Sequence, residues 1–600
     1  MFGTFFRIVQ SSKIAFQLAY RSSPILTLLI SILTVLNGLF PSTLVWIGKI
    51  IIDSILISEI SSENWIELLK SETAIYVYLE GIITIIFFGS QKFYFLCTTL
   101  LRIKLGQEVN ERILSKAITL ELSQFENSET YDQMTQARSE ASSKPLSMVN
   151  RFFTIAQSSI TIISFFGLLV KLSPVASIIL VIAAIPTFIA ETRFSNHSFR
   201  LFRWKAKETR EQVYLETLMA REDNAKEILL FNLGKEFLNR YKHNFLKIYS
   251  EDKKLTIKKS VVSFFLGLIS QFAFYGSYVW IVSLALQKKI TLGEMTMYLV
   301  IFRQGQTTFA NALSAFGGIY EDHLYIENLM EFLTLPIVKK IGTYKNIKNK
   351  SGIIFDQVSF LYPGSTKDSL TDVSFELKAG EKLAIVGENG SGKTTLIKLL
   401  TRLYTPSSGS IYLDGVNLSD WEEETLKERF GVIFQNFVQY QFIVGDNIGM
   451  GNVKQVQSEQ QWISAAKLGM AHDFVTRLDL GYQTRLGKWF KDGRELSGGQ
   501  WQKIALSRAF MRTKADILIL DEPTSAIDAE AEMKVFEHFR EHTMGKTVIL
   551  ISHRFSTVRM ADKILVLEQG KKTEWGDHET LLSKKGKYEK LFRLQQAGYQ

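Results

Sequence analysis

Cysteine is almost missing from these 600 residues: the chain has one, Cys97. A lone cysteine excludes an intrachain disulfide and any cysteine-based metal cluster. Its neighbours Phe95 and Leu96 are apolar, which makes it a small packing residue rather than a nucleophile. An internal repeat is missing too, so the chain supplies one copy of each of its parts. No cleavable signal peptide is evident at the start. Phe5 to Tyr20 mixes Phe, Ile and Leu with Arg7 and Lys13, the pattern of an amphipathic helix lying on a cytoplasmic membrane face. Nor is there a basic stripe for nucleic acid, although the net charge is +10. The Lys and Arg residues gather between apolar runs, where membrane orientation places them.

What is abundant is apolar. Hydrophobic residues make up 46% of the chain and Phe alone fills 43 positions, yet 22% of residues are charged. A chain buried wholly in lipid could not carry that charge, and an ordinary soluble one seldom carries that much Phe. The average reads as two unlike halves, in a chain too long for one core.

Six stretches approach the roughly 20 apolar residues that a spanning helix needs. They run at about 24–51, 74–98, 152–170, 175–190, 261–286 and 295–316. The last is the weakest, because Arg303, Gln304, Gln306 and Asn311 interrupt it. The connector after the first span is acidic, with Asp53, Glu59, Glu63, Glu67 and Glu72. The connector after the fourth carries about sixteen Lys and Arg residues, Arg200, Arg203, Lys205, Lys207 and Arg210 among them. That asymmetry places the second connector and both termini in the cytoplasm. The two long connectors, about 101–151 and 193–259, have helical periodicity and a single proline, Pro145. They read as extensions of the spans, each with a polar turn at its far end, Glu126 to Gln133 and Arg221 to Glu227.

Beyond about Leu335 a Lys-rich stretch reads as a linker, and short β-rich runs then alternate with helical segments. The runs are Leu383 to Val386, Gly431 to Phe434, Ile517 to Leu520 and Thr547 to Ile551. Such alternation indicates an α/β domain with a largely parallel sheet.

Within that domain Gly387-Glu388-Asn389-Gly390-Ser391-Gly392-Lys393-Thr394 fits G-x-x-x-x-G-K-[ST] between an apolar strand and a helical run that begins at Thr395. Glycines let backbone N–H groups converge on phosphate oxygens, and the helix N-terminus adds partial positive charge. Lys393 would neutralise the outer phosphates and Thr394 would offer its hydroxyl to Mg²⁺. The apolar strand Ile517 to Leu520 ends in Asp521 and Glu522, suited to Mg²⁺ binding and to a general base for the attacking water.

Leu496-Ser497-Gly498-Gly499-Gln500, about twenty residues before the carboxylates, completes a resemblance to the ATP-binding cassette transporters that covers essentially the whole chain. It resembles their bacterial exporter half-transporters. The fold implied is an all-α six-helix transmembrane domain with long cytoplasmic extensions, followed by an α/β P-loop nucleotide-binding domain. In residues this is an elbow helix at 1–22, a membrane domain at 23–325, a linker at 326–350 and a cassette at 351–600. The resemblance assigns Tyr362 to stacking on adenine, and Gly387, Asn389, Gly390, Ser391, Gly392, Lys393, Thr394, Thr395 and Gln435 to ATP. Thr394, Gln435 and Asp521 would hold Mg²⁺, Glu522 and His553 would be catalytic, and Ser525 and Asp528 would lie in a dimer-contact loop. Ser497, Gly498, Gly499 and Gln500 would close over ATP held by a partner chain, a second half-transporter and most simply an identical one. The polar turns near Glu126 and Asn224 match coupling helices.

The function implied is ATP-driven export of an amphipathic substrate across the inner (plasma) membrane, with lipid as surroundings and no nucleic acid as partner. An ATP-gated channel or regulatory protein is the alternative, opposed by the intact Glu522; the spans exclude a soluble ATPase acting on ribosomes or DNA. Peptide or antibiotic, lipid and drug all stay open as cargo. Phe125 to Asp132 loosely resembles the peptide-exporting branches, and no protease domain precedes the spans. Arg303, Gln304, Gln306 and Asn311, with Glu80 in the second span, are costly in lipid and should face a cavity or a partner helix.

Overall fold

The computed structural model describes residues 2–57, 69–140, 144–170, 208–337, 342–345, 351–523, 537, 541–552 and 554–597. The fourth span, Arg200, Arg203, Lys205 and Lys207, and the site residues Ser525, Asp528 and His553 lie outside the described residues. The chain divides into two compact units: Met1–Thr119 with Glu129–Pro336, and Leu120–Ser128 with Ile337–Gln600.

The first unit is helical. Its helices among the described residues include α1 (Phe2–Ser22), α2 (Pro24–Ile57) and α3 (Glu72–Ala117), then, after the short α4 (Leu122–Phe125) of the other unit, α5 (Ser128–Glu140), α6 (Lys144–Val170), α7 (Glu222–Leu230), α8 (Gly234–Leu286) and α9 (Leu292–Leu333). Among the described residues four helices, α2, α3, α6 and α8, are long and apolar enough to cross a membrane. α9 has the length, at 42 residues, but its central polar residues leave it outside that set. α3 has 46 residues and α8 has 53. At about 1.5 Å per residue each is more than twice the roughly 30 Å of hydrocarbon, so both extend well beyond a membrane.

Local chemistry sets the helix starts. Ser71 caps α3 by accepting from the Ala74 N–H at 3.2 Å. Thr291 and Glu294 cap α9 reciprocally, each side chain accepting from the other's backbone N–H. Helices α2 and α6 approach closely at Gly38, whose carbonyl accepts from Thr161 Oγ1 at 2.8 Å. A Cβ there would lie 2.9 Å from Ile160 Cβ, so only glycine permits the contact. Phe165 and Leu169 of α6, Ile281 of α8, and Met297, Tyr298, Ile301 and Phe302 of α9 form a buried cluster.

Helix α9 also runs on to Leu333, through part of the stretch that composition assigns to a linker. Just before that stretch its polar residues are paired inside the unit rather than solvated. Asp322 is fully buried, with Arg151 Nε at 2.8 Å and Lys144 Nζ at 4.0 Å, and His323 Nδ1 shares a hydrogen bond with Ser11 Oγ at 2.7 Å.

The second unit is layered. One sheet has the order β2 (Leu370–Lys378), β1 (Gly352–Phe360), β4 (Ser408–Leu413), β5 (Val416–Asn417), all antiparallel. The other has the order β10 (Lys571–Gly576), β9 (Lys563–Glu568), β3 (Lys382–Val386), β8 (Thr547–Ile551), β7 (Ile517–Asp521), β6 (Phe430–Ile433). Only β10 is antiparallel in it. Strand alternation sorts the core. Ile517 and Ile519 join one cluster with the antiparallel sheet and with α10 (Lys393–Leu400), while Leu518 and Leu520 face another. That second cluster holds α11 (Val444–Gly449), α12 (Glu459–Leu468) and α13 (Gly498–Phe510). The predicted polar turn at Glu126 begins earlier than expected, as the helical turn α4, and Leu122 of that turn packs on the first cluster. The predicted turn at Arg221 to Glu227 is the start of α7, with Arg221 in the N-cap position.

Candidate functional site

The loop Gly387 to Gly392 joins β3 to α10, and its backbone explains its composition. Gly390 and Gly392 have φ of 78° and 99°, a region that L side chains avoid. A Cβ at Gly392 would also sit 2.7 Å from the Ser369 carbonyl. Lys393 opens α10 with its ammonium folded back on the Gly387 and Glu388 carbonyls, both at 2.9 Å. Burial holds that ammonium below the usual lysine range, against the opposing pull of Glu522 and Asp521. Ser391 Oγ is buried without a hydrogen-bond partner. A buried orphan hydroxyl beside a lysine is relieved by an anionic oxygen, which is what the loop is shaped to receive.

The two carboxylates reach this loop from β7, although β7 is not next to β3: β8 lies between them. Thr394 Oγ1 donates to Asp521 Oδ2 at 3.2 Å, which joins the first turn of α10 to the end of β7. Asp521 is 2% exposed, and burial, with Glu522 adding to it, pushes its carboxyl up to about 6 despite Thr394 and Lys393. A bound cation would reverse that shift. The donor set suits a hard divalent ion: a carboxylate and a hydroxyl in contact, with Gln435 held at the neighbouring Glu522. Among the described residues no cluster of three or more His, Cys, Asp or Glu side chains is arranged for a metal. A cation at Asp521 would therefore complete its shell with water or with oxygens of a bound ligand.

Glu522 stands at a turn with φ of +49°, a strained value for a residue with a Cβ. Its N–H donates to the Ile551 carbonyl at 3.0 Å, so the end of β8 fixes it. Gln435 Nε2 donates to Glu522 Oε2 at 2.7 Å. Gln435 therefore contacts the candidate base directly, one residue away from the carboxylate assigned to Mg²⁺. Gln502, 2% exposed on α13, approaches the Glu522 carbonyl through Nε2 at 3.5 Å. Sequence reading missed Gln502; its place three residues after Gly499 on the signature helix was the available signal.

Tyr362 lies after β1, and its hydroxyl shares a hydrogen bond with Thr395 Oγ1 at 3.1 Å. Phe360 and Tyr404 pack edge-on against its ring, at 4.8 and 5.3 Å. Asn389 and Gly390 are exposed at the mouth of the loop. The signature segment is held differently. Ser497 caps α13, accepting from the Gln500 N–H at 3.3 Å, and Gln500 Oε1 accepts from the Ser497 N–H at 3.0 Å. The Gln500 side chain is thereby committed to its own helix end. Ser497 and Gly498 are exposed, so the free N–H groups of this helix start face solvent.

The membrane residues separate. Arg303, Gln304 and Asn311 are exposed, and Arg303, Thr307 and Asn311 recur every fourth residue on one face of α9. Gln306 is half-buried on the same helix, and Glu80 is half-buried on α3.

A family model described as ABC transporter matches residues 370–525, from β2 through both carboxylates. The chain is 29% identical over 561 residues to the subtilin transport ATP-binding protein SpaT of Bacillus subtilis, covering 93% of this chain and 90% of that one. It is 30% identical over 499 residues to the nisin transport ATP-binding protein NisT of Lactococcus lactis subsp. lactis, 82% of each chain. Over 269 residues, 45% of each chain, it is 40% identical to an ATP-dependent lipid A-core flippase of Haemophilus ducreyi. Its fold is similar to that of a bacterial Atm1-family ABC exporter solved with ATP bound, at a TM-score of 0.77 and 23% identity, over 94% of this chain and 97% of that one. Phosphate loop, carboxylate strand and signature helix on one sheet, joined to membrane-spanning helices and matched along nearly the full length, place this chain in the ATP-binding cassette transporter family, as an ATP-driven transport ATPase of the bacterial exporter type.

Proposed function

We propose that two copies of this chain form an exporter with two composite ATP sites. In each site ATP and Mg²⁺ would lie between the phosphate loop of one copy and Ser497, Gly498 and Gly499 of the other. The observation that carries this reading is the signature helix start: its N–H groups and the Ser497 hydroxyl are exposed, while the Gln500 side chain is turned back to cap the helix. Exposed N–H groups at a helix start suit an anion brought by another molecule. Mg²⁺, held by Thr394, Asp521 and Gln435, would supply charge neutralisation at the phosphate oxygens. Glu522, aimed by Gln435 and by the Ile551 carbonyl, would orient and deprotonate the attacking water. Lys393 would exchange its two carbonyl partners for phosphate oxygens. His553, Ser525 and Asp528 keep the γ-phosphate and dimer-contact roles that the family pattern gives them.

The cargo we propose is an amphipathic peptide of the kind named for SpaT and NisT, because those relatives match along both halves of the chain. The lipid A-core flippases match over smaller shares of their own length, 45% and 63% for two of them, so lipid is the second reading. Arg303, Gln304 and Asn311 would line the path, where an exposed polar face on a membrane helix avoids lipid only by facing water or another helix. Both termini and the cassette would be cytoplasmic.

The dimeric site is tested by complementation. Lys393→Ala and Ser497→Arg each remove ATPase activity from a homodimer. Co-expressed, they leave one intact site in each mixed dimer, and activity returns. If the mixed preparation stays inactive while both variants fold and associate, the composite-site reading fails.

A further inference from the structure

The ring assigned to adenine is not held by its own strand alone. Tyr362 is fixed at its hydroxyl by Thr395 and at its edges by Phe360 and Tyr404. Lys398, one turn further along α10, places its ammonium 5.2 Å from the Tyr362 ring centroid and 5.5 Å from that of Tyr404. Both groups that touch Tyr362 from this side end on one carboxylate. Tyr404, 6% exposed, donates its hydroxyl to Glu126 Oε2, and Lys398 Nζ donates to Glu126 Oε1 at 3.2 Å. Glu126 follows α4, whose Leu122 is seated on the same core cluster. Burial, reinforced by Glu126, pushes the Tyr404 phenol well above its ordinary range, so it stays a donor throughout the working pH range.

We propose that Glu126 is a positioning residue for the nucleobase subsite, acting on Tyr362 through Tyr404 and Lys398. This rests on the assignment of Tyr362 to adenine. The ion pair alone would do little, since Glu126 is 44% exposed. The hydrogen bond from a buried phenol is the stronger contact, being charge-assisted and shielded. With Glu126 in place, Lys398 is drawn over the two rings and Tyr404 is locked edge-on. Tyr362 is then already oriented when a base arrives, and the ordering cost of stacking is lower. The carboxylate belongs to the turn joining α3 to α5, so any movement of that turn which withdraws Glu126 would loosen the grip on the base. Base occupancy would by the same linkage hold the turn in place.

The experiment is steady-state ATPase kinetics on the purified full-length transporter, with inorganic tripolyphosphate as a competing triphosphate that has no base. Glu126→Gln should raise the KM for ATP by about three- to tenfold with kcat within about twofold, and leave the inhibition constant of tripolyphosphate unchanged. Tyr362→Ala should raise the KM at least as much, and adding Glu126→Gln to it should have no further effect. If Tyr362→Ala leaves the KM unchanged, the adenine assignment falls and takes this inference with it. If Tyr362→Ala raises the KM but Glu126→Gln does not, only the role of Glu126 is overturned. Additive effects in the double variant, or an equal loss of tripolyphosphate binding, also overturn it.

Discussion

Asp521 offers a prediction whose size and sign both come from its surroundings. Its carboxyl is 2% exposed and titrates near 6 in the folded chain, against 3.8 for the ordinary group, chiefly because burial penalises the charged form. The folded state therefore binds more protons than the unfolded state between those values. The associated stability is fully present below about pH 4 and is lost as pH rises through about 6. At about 1.4 kcal/mol per pH unit, the cost of carrying the ionised carboxylate at pH 7.5 is about 3 kcal/mol. Asp521→Asn keeps an acceptor for Thr394 Oγ1 and removes the charge. Without nucleotide and in chelator, the variant should be the more stable protein at pH 7.5, by up to that amount. For a domain of this size that corresponds to a rise of about 6–12 °C in the cassette's thermal midpoint. At pH 4.5 most of the difference should vanish, since the wild-type carboxyl is then protonated. Saturating Mg²⁺ and ATP should reverse the order, because only the wild type gains the full stabilisation of the bound pair. The assay is thermal unfolding of the full-length transporter across pH 4.5–8. An equal or lower midpoint for Asp521→Asn at pH 7.5 in chelator, or a gap that does not change with pH, refutes the reasoning.

Other consequences follow from single contacts. Glu522→Gln should lower ATP turnover by about 10²- to 10⁴-fold while ATP affinity, measured by equilibrium binding, changes only a few-fold, since Gln435 keeps a neighbouring oxygen to bond. Gly38→Leu should destabilise the membrane unit by about 1–3 kcal/mol, because its Cβ alone would stand 2.9 Å from Ile160 Cβ. Its signature is a lower thermal midpoint in detergent with unchanged ATP affinity. Arg429 is 4% exposed and bonds both Asp414 at 2.6 Å and Asp516 at 2.7 Å. Arg429→Ala removes the cation from two largely buried carboxylates and should cost about 3–5 kcal/mol, read as a lower denaturant midpoint for the cassette.

The nucleotide apparatus was legible because its parts are local. The strand before Gly387, the helix after Lys393 and the strand ending at Asp521 each announce themselves within about ten residues. What was not legible depends on pairing across the chain. Nothing in the run Ile517 to Asp521 says that β8 separates it from β3, or that Thr394 nonetheless reaches Asp521. The antiparallel sheet escaped notice because β1 carries register shifts that blur its alternation. Helix α9 is anchored at Asp322 and His323 by Arg151, Lys144 and Ser11, partners more than 170 residues away in sequence. The polar turn at Glu126 was visible as composition. Its attachment to Tyr404 and Lys398 was not, because a carboxylate on a turn looks the same whether it meets water or a buried phenol.

The central claim is that hydrolysis at Glu522 moves cargo across a membrane. The most direct measurement is ATP-dependent accumulation of labelled amphipathic peptides inside sealed vesicles holding the transporter with its cassettes outward. Labelled lipids and drug-like cations are run beside the peptides, and Glu522→Gln is the control. The account predicts uptake of a peptide that requires Mg²⁺ and ATP, is abolished by Glu522→Gln and leaks out no faster when ATP is withdrawn. ATP hydrolysis without uptake of any cargo, or ATP-dependent permeability equal in both directions, would contradict it.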